Sequence, residues 1–228
     1  MARPVNVFAL GLDERNLALL QDLTLLHPYR FHALLEKAEI MYEDGLPLTE
    51  LLDEAHRRLQ AFDGTIDAII GYWDFPVSSM VPILCIHYGL PGASLESVVK
   101  CEHKYWSRLE QRKVTNAYPA FDLIDLSGDP QPPPRLRYPI WIKPVKSYSS
   151  ALAFRVTADD EFERALAEIR EGVHHIGQDF DFLLGATSSP PATSEPATRT
   201  NSPRSSTAAR NCCRSFSTRT PDRMVASC

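Results

Sequence analysis

Between Pro4 and Gly92, short β-forming apolar runs alternate with stretches whose apolar residues recur at helical spacing. That order restricts the fold more than any other feature of the chain. Residues 4–10, PVNVFAL, predict a strand; Gly11 follows, then Asp13 as an N-cap, and Leu17, Leu20 and Leu23 fall at helical intervals. Residues 29–35, YRFHALL, predict a second strand, and residues 48–62 an amphipathic helix with Leu48, Leu51, Leu52, Ala55 and Leu59 on one face. Residues 67–71, DAIIG, predict a third strand buried on both faces. It opens into the loop YWDFPVSS at its carboxyl end, where open α/β sheets bind ligands. Residues 81–92, VPILCIHYGLPG, continue as a helix or a further element up to a Gly-Leu-Pro-Gly turn. Strands alternating with helices predict an α/β fold with a mostly parallel sheet covered on both faces. The first turn holds one glycine, so the dinucleotide fingerprint GxGxxG is absent.

Residues 94–113 predict one long helix, capped by Ser94, with Leu95, Val98, Val99, Tyr105, Trp106 and Leu109 inward. Lys100, Lys104 and Arg108 line its other side at i, i+4 and i+8. Like charges at that spacing repel by about 0.2–0.5 kcal/mol per pair, and a solvated basic face is the plainest reading. After VTNAYPAFDLIDL and a proline-rich loop comes RYPIWIKPVKSYSSALAFRV, two extended runs (140–144 and 151–156) joined by a serine-rich turn, which predicts a hairpin. Asp159 and Asp160 open a helix with Phe162, Leu166 and Ile169 inward, ending near Gly172.

Beyond DFDFLL (179–184) the pattern is lost. Residues 186–228 are rich in Ser, Thr, Pro and Ala, with six arginines and no lysine, and predict a disordered tail. The same mixture fits a shifted-frame or otherwise aberrant terminus, with a genuine regulatory tail as the alternative. The body, residues 1–185, carries nine more acids than bases and the tail four more bases than acids. An acidic body argues against nonspecific nucleic-acid binding, since the phosphate backbone is repelled. There is no run of about 18 apolar residues, which argues against a membrane partner. None of Cys85, Cys101, Cys212, Cys213 and Cys228 forms a CxxC pair, so a reduced, cytoplasmic setting is the default. His174 and His175 are read as structural or solvated rather than as metal ligands, and no GxSxG supports hydrolase chemistry.

Three features in order carry a family resemblance: IDAIIGYWDFP leading to GLPG, the helical segment KCEHKYWSRL, and the strand YPIWIKPVKSYSS. Over residues 60–184 the chain resembles the ATP-grasp superfamily, particularly its carboxylate–amine ligase and biotin-carboxylase-like members. The resemblance implies a Rossmann-like pre-ATP-grasp domain with a parallel sheet (1–113), a first small α+β lobe (114–184) and a disordered or aberrant tail (185–228). It implies ATP as ligand, with Lys104 as the helical phosphate-contacting lysine and Lys143 as the one at the end of a lobe strand. Lys146, three residues on, either approaches a phosphate or is solvated. A lysine is a compact charge on a flexible stem, suited to a phosphate oxygen. The family's glycine-rich phosphate loop is replaced here by Ser147-Tyr148-Ser149-Ser150. In the family a strand resembling DFDFLL (179–184) leads into a hinge segment that contacts the adenine, and the Mg²⁺-holding second lobe beyond it has no recognisable counterpart here, so no metal ligand is assigned. The expected activity is that of a ligase activating a small carboxylate as an acyl phosphate for attack by an amine, with Asp74 near the substrate. In this chain it is expected as a truncated, inactive fragment. The alternative is a non-catalytic α/β nucleotide-binding or interaction module.

Overall fold

Strand β1 (Val5–Leu12) is buried at every position from Val7 to Leu12, which a strand allows only when both its faces are covered. The computed structural model describes residues 3–22, 28–40, 46–147, 150–172, 174–187 and 223–227. The chain divides into two units, Met1–His103 and Lys104–Cys228.

In the first unit β1 is central. Strands β2 (Tyr29–Glu36) and β3 (Ala68–Gly71) flank it, both parallel to it, in the order β2-β1-β3. The three predicted strands are thus present. β3 differs from expectation in being an edge strand: Ile69 is buried, while Ile70 and Gly71 are exposed. Asp13 caps helix α1 (Glu14–Asp22) by accepting a 2.8 Å bond from the Asn16 N–H. No α1 residue is buried, so Leu17 and Leu20 are only partly covered; Leu23 lies outside the described residues. After the short α2 (Lys37–Ile40), helix α3 (Leu48–Gln60) buries Leu48, Leu51, Leu52, Ala55 and Leu59, the face its spacing predicts. Residues 81–92 form the latter part of α4 (Val77–His87) and the turn after it.

The helix expected over 94–113 is two helices, α5 (Leu95–Glu102) and α6 (Lys104–Val114). His103 between them is extended (φ −75°, ψ 103°) and buried. The Lys104 N–H donates to Val145 O at 2.9 Å instead of to a carbonyl one helical turn back. Lys100, Lys104 and Arg108 therefore form no continuous row, and Lys100 pairs with Glu96 at 2.7 Å.

In the second unit, β4 (Phe121–Asp125), β5 (Ile140–Pro144), β6 (Phe154–Val156) and β7 (Arg223–Ser227) make an antiparallel sheet in the order β4-β7-β5-β6. The predicted hairpin is β5–β6, with Trp141 opposite Arg155 and Ile142 opposite Phe154. Helix α7 (Asp159–Gly172) adds Phe162, Ala165, Leu166 and Ile169 to a core with Ile124, Ile140, Ile142 and Val156. Two expectations need correction. DFDFLL belongs to helix α8 (His174–Ala186): Phe180, Leu183 and Leu184 are buried at the i, i+3, i+4 spacing of one helix face, while Phe182 is exposed. The tail read as disordered from residue 185 contributes the end of α8, and Arg223–Ser227 is the strand β7, whose backbone pairs with both β4 and β5. Residues 188–222 and 228 lie outside the described residues. No helix among the described residues is long and apolar enough to cross a membrane.

Ile142 is fully buried on β5. Ile142→Ala should destabilise the second unit by about 2–5 kcal/mol, read as a lower urea midpoint by circular dichroism. In the first unit, burial lowers the pKa of His32, which stacks on Phe8 at 4.8 Å between ring centroids. Burial and then the neighbouring His87, at 4.3 Å, lower that of His56, with Asp53 opposing. A histidine with a depressed folded pKa gives full stability above its unfolded value near 6.5 and loses it as pH falls through the folded value. Stability should thus be flat above pH 6.5 and decline below it. His56→Gln should flatten that decline in chemical denaturation at stepped pH.

Candidate functional site

The three lysines singled out in the sequence all lie in the second unit. Lys104 is the first residue of α6, and the first N–H groups of a helix have no intrahelical acceptor. Its N–H takes Val145 O, and its Nζ donates to Ser147 O and Ser147 Oγ, each at 2.9 Å. Lys104 is therefore tied at both ends of its length to the segment that leaves β5.

Lys143 stands on β5 two residues after Trp141, so both side chains share the face opposite Ile140 and Ile142. Its Nζ lies 5.3 Å from the Trp141 ring centroid, a cation–π contact worth about 0.5–1 kcal/mol at an exposed site. Trp141 is 43 % exposed. Lys146 departs from the solvated reading: it is only 6 % exposed, with Nζ 5.8 Å from the centroid of Phe180, a fully buried ring on α8. The structure thus gathers Lys104 and Lys146 on the exit of β5, with Lys143 just before it on the open face of the sheet.

The β5–β6 connection takes the backbone shape that glycine favours without using glycine. Ser150 has φ 60° and Leu152 φ 55°, and a left-handed residue with a Cβ costs about 1–2 kcal/mol. Leu152 is held there by packing on the α7 core. At the approach to β5, Tyr138 Oη donates to Asp159 Oδ1 at 2.8 Å. Burial, followed by that bond to a carboxylate, pushes the phenol up to about 12. In the first unit Asp74 accepts from the Phe75 N–H at 2.7 Å, and its carbonyl from the Ser78 N–H. These bonds order the loop at the start of α4. Trp141 and Phe180 were not singled out in the sequence, and Ser147 entered it only as part of the serine run that stands in place of the family's glycine-rich loop. The alternation of Trp141 with Ile140 and Ile142 was the signal for the first, whereas Phe180 could be placed only once DFDFLL was seen as a helix.

Among the described residues no three His, Cys, Asp or Glu side chains are grouped so as to hold a metal ion.

No family model matches the sequence, and no curated protein matches it. Solved structures do. L-amino acid ligase from Bacillus licheniformis superposes with a TM-score of 0.54 over 74% of this chain and 43% of its own, at 17% identity. D-alanine–D-alanine ligase from Bacillus anthracis complexed with ATP aligns at 0.48 over 75% of this chain and 54% of its own, at 15% identity. N5-carboxyaminoimidazole synthase from Aspergillus clavatus in complex with ADP and 5-aminoimidazole ribonucleotide gives 0.45, 72% and 44%, at 15% identity. The likeness to L-amino acid ligase shows that this α/β chain shares the fold of the part of that ligase it matches. The chain spans less than half the length of L-amino acid ligase.

If the strain at Ser150 is backbone alone, Ser150→Gly should stabilise the second unit by about 1 kcal/mol. A raised urea midpoint with an unchanged slope is the expected result.

Proposed function

We propose that this chain binds ATP, with Lys104, Lys143 and Lys146 neutralising the triphosphate, as the nucleotide-binding part of a ligase that joins a carboxylate to an amine. One observation carries the reading. The bonds of Lys104 to Val145 and Ser147 bring the first residue of α6 to the segment that leaves β5, the strand that carries Lys143 and is followed by Lys146. The fold shared with L-amino acid ligase supports it.

In such a reaction a carboxylate oxygen takes the γ-phosphoryl group of ATP and ADP leaves. The amine then attacks the acyl carbon, inorganic phosphate departs, and the amine gives up a proton. Phosphoryl transfer needs positioning and charge stabilisation more than covalent help from the protein. The lysines serve that need as fixed cations. Ser147 aims the Lys104 ammonium, and the Trp141 ring steadies that of Lys143. Magnesium supplies further charge neutralisation in the family. No step is assigned to it here, because the described residues group no metal ligands.

The test is calorimetric titration of the full chain with ATP. Lys143→Ala should weaken binding by more than about tenfold, the loss of one charge-assisted phosphate contact; an unchanged affinity would remove Lys143 from the site. ATP turnover in the presence of amino acids separates a ligase from a module that binds nucleotide without catalysis.

A further inference from the structure

Helix α3 and the end of helix α4 bring together His56 from α3, His87 from the last turn of α4, and Tyr88, the residue that caps it. The ring centres lie 4.3 Å apart for His56 and His87, 5.0 Å for His87 and Tyr88, and 5.7 Å for His56 and Tyr88. Each is placed by its helix. Leu52 and Leu59, at i−4 and i+3 from His56, are buried and draw that imidazole to the core side of α3, where it is half-buried. The Tyr88 N–H donates to Leu84 O at 3.0 Å and closes α4. His87 is exposed, so one side of the cluster opens to water. His56 Nδ1 stands 3.4 Å from Tyr88 Oη, longer than the about 2.7–3.2 Å of an ordinary nitrogen–oxygen hydrogen bond.

These distances suit a shared ion. Two donors bound to one ion at about 2.0–2.1 Å stand about 2.9–3.4 Å apart, and the Nδ1–Oη separation of 3.4 Å closes that span. By the same bond lengths, two imidazoles at right angles on one ion have ring centres about 4.4 Å apart, against 4.3 Å here. The surroundings favour positive charge. The partial negative charge of a helix C-terminus falls within its last turn, which is where His87 sits. Asp53, one turn before His56 on α3, adds a carboxylate whose charge reaches that imidazole, while the Arg57 guanidinium beside it is paired with Glu54. Imidazoles select copper, nickel or zinc; magnesium takes oxygen ligands instead. The third donor is a phenol oxygen, so the cluster is distinct from a trio of His, Cys, Asp or Glu, of which the described residues hold none.

We propose that His56, His87 and Tyr88 form a site for one divalent transition ion of the copper–nickel–zinc group, with water completing its coordination. All three residues belong to the first unit, so the site stands or falls separately from the nucleotide reading. The full chain is titrated with Ni²⁺ by calorimetry and, labelled with ¹⁵N, with paramagnetic Co²⁺ by NMR. One ion should bind per chain, and the amides of His56, His87 and Tyr88 should be the first that Co²⁺ perturbs. His56→Gln and His87→Gln should each weaken Ni²⁺ by about tenfold or more, and Tyr88→Phe, which keeps the ring, by about threefold or more. His174→Gln with His175→Gln, which removes the adjacent histidine pair of the second unit, should leave the affinity at the parent value. If His56→Gln does not fold, the exposed His87→Gln decides. Perturbation centred elsewhere, an affinity unchanged by His87→Gln (an adventitious ion only), an affinity unchanged by Tyr88→Phe, or its loss in the His174, His175 variant would each overturn the proposal.

Discussion

The bond from the Lys104 N–H to Val145 O joins the start of a helix to the exit of a strand some forty residues later, and the arrangement of the second unit depends on it. It exists because His103 leaves the helical conformation. Were 94–113 one helix, the Lys104 N–H would be spent on a carbonyl four residues back. The break frees that donor, and the ammonium of the same residue then reaches Ser147. A backbone bond fixes where α6 begins, and a side-chain pair fixes where its first residue points. Charge-assisted bonds of this kind are stronger than neutral ones.

The sheet of this unit divides its labour by the two-residue period of a strand. Ile140, Ile142 and Val156 face α7 and are almost wholly excluded from water. Trp141, Lys143 and Arg155 face away, and the Trp141–Arg155 register places a ring directly opposite a guanidinium. A one-residue slip of β5 against β6 would exchange the two sets. Such a slip would bury a lysine without a partner, so the same packing that stabilises the unit also fixes the orientation of Lys143.

The elements legible in the sequence were those whose period was long and whose faces contrasted. Helix α3 could be read from Leu48 to Leu59, α7 from Phe162 to Ile169, and the parallel strands from their short apolar runs. The misreadings share a cause in tertiary context. The break at His103 leaves no local signature, because no proline or glycine marks it. DFDFLL alternates like a strand, but Phe180, Leu183 and Leu184 also satisfy a helix, and the buried face decided between the two periods. β7 comes from a stretch with almost no apolar pattern, and its strand state follows from pairing on both sides. The lysines were visible by type and spacing. That Lys146 is buried and Lys143 is not was settled only by the direction of the chain after Pro144.

Both polar regions of the molecule lie where a regular hydrogen-bond ladder stops, and the stop has a chemical reason in each case. In the first unit the ladder is interrupted at Gly11 and Leu34, where bulges withdraw one residue from each strand. In the second, β5 ends on Pro144, which has no N–H to give, and the next carbonyl and the serine after it turn to Lys104. Backbone groups released from a ladder must find other partners when they are removed from water. The partners found here are the Lys104 N–H on Val145 O and side chains elsewhere: Tyr72 and Trp73 on Gly11 O, and Lys104 on Ser147 O. A strand end completed by side chains is more open to a ligand than one completed by backbone, since a side chain can turn from a carbonyl to a bound group without breaking the fold.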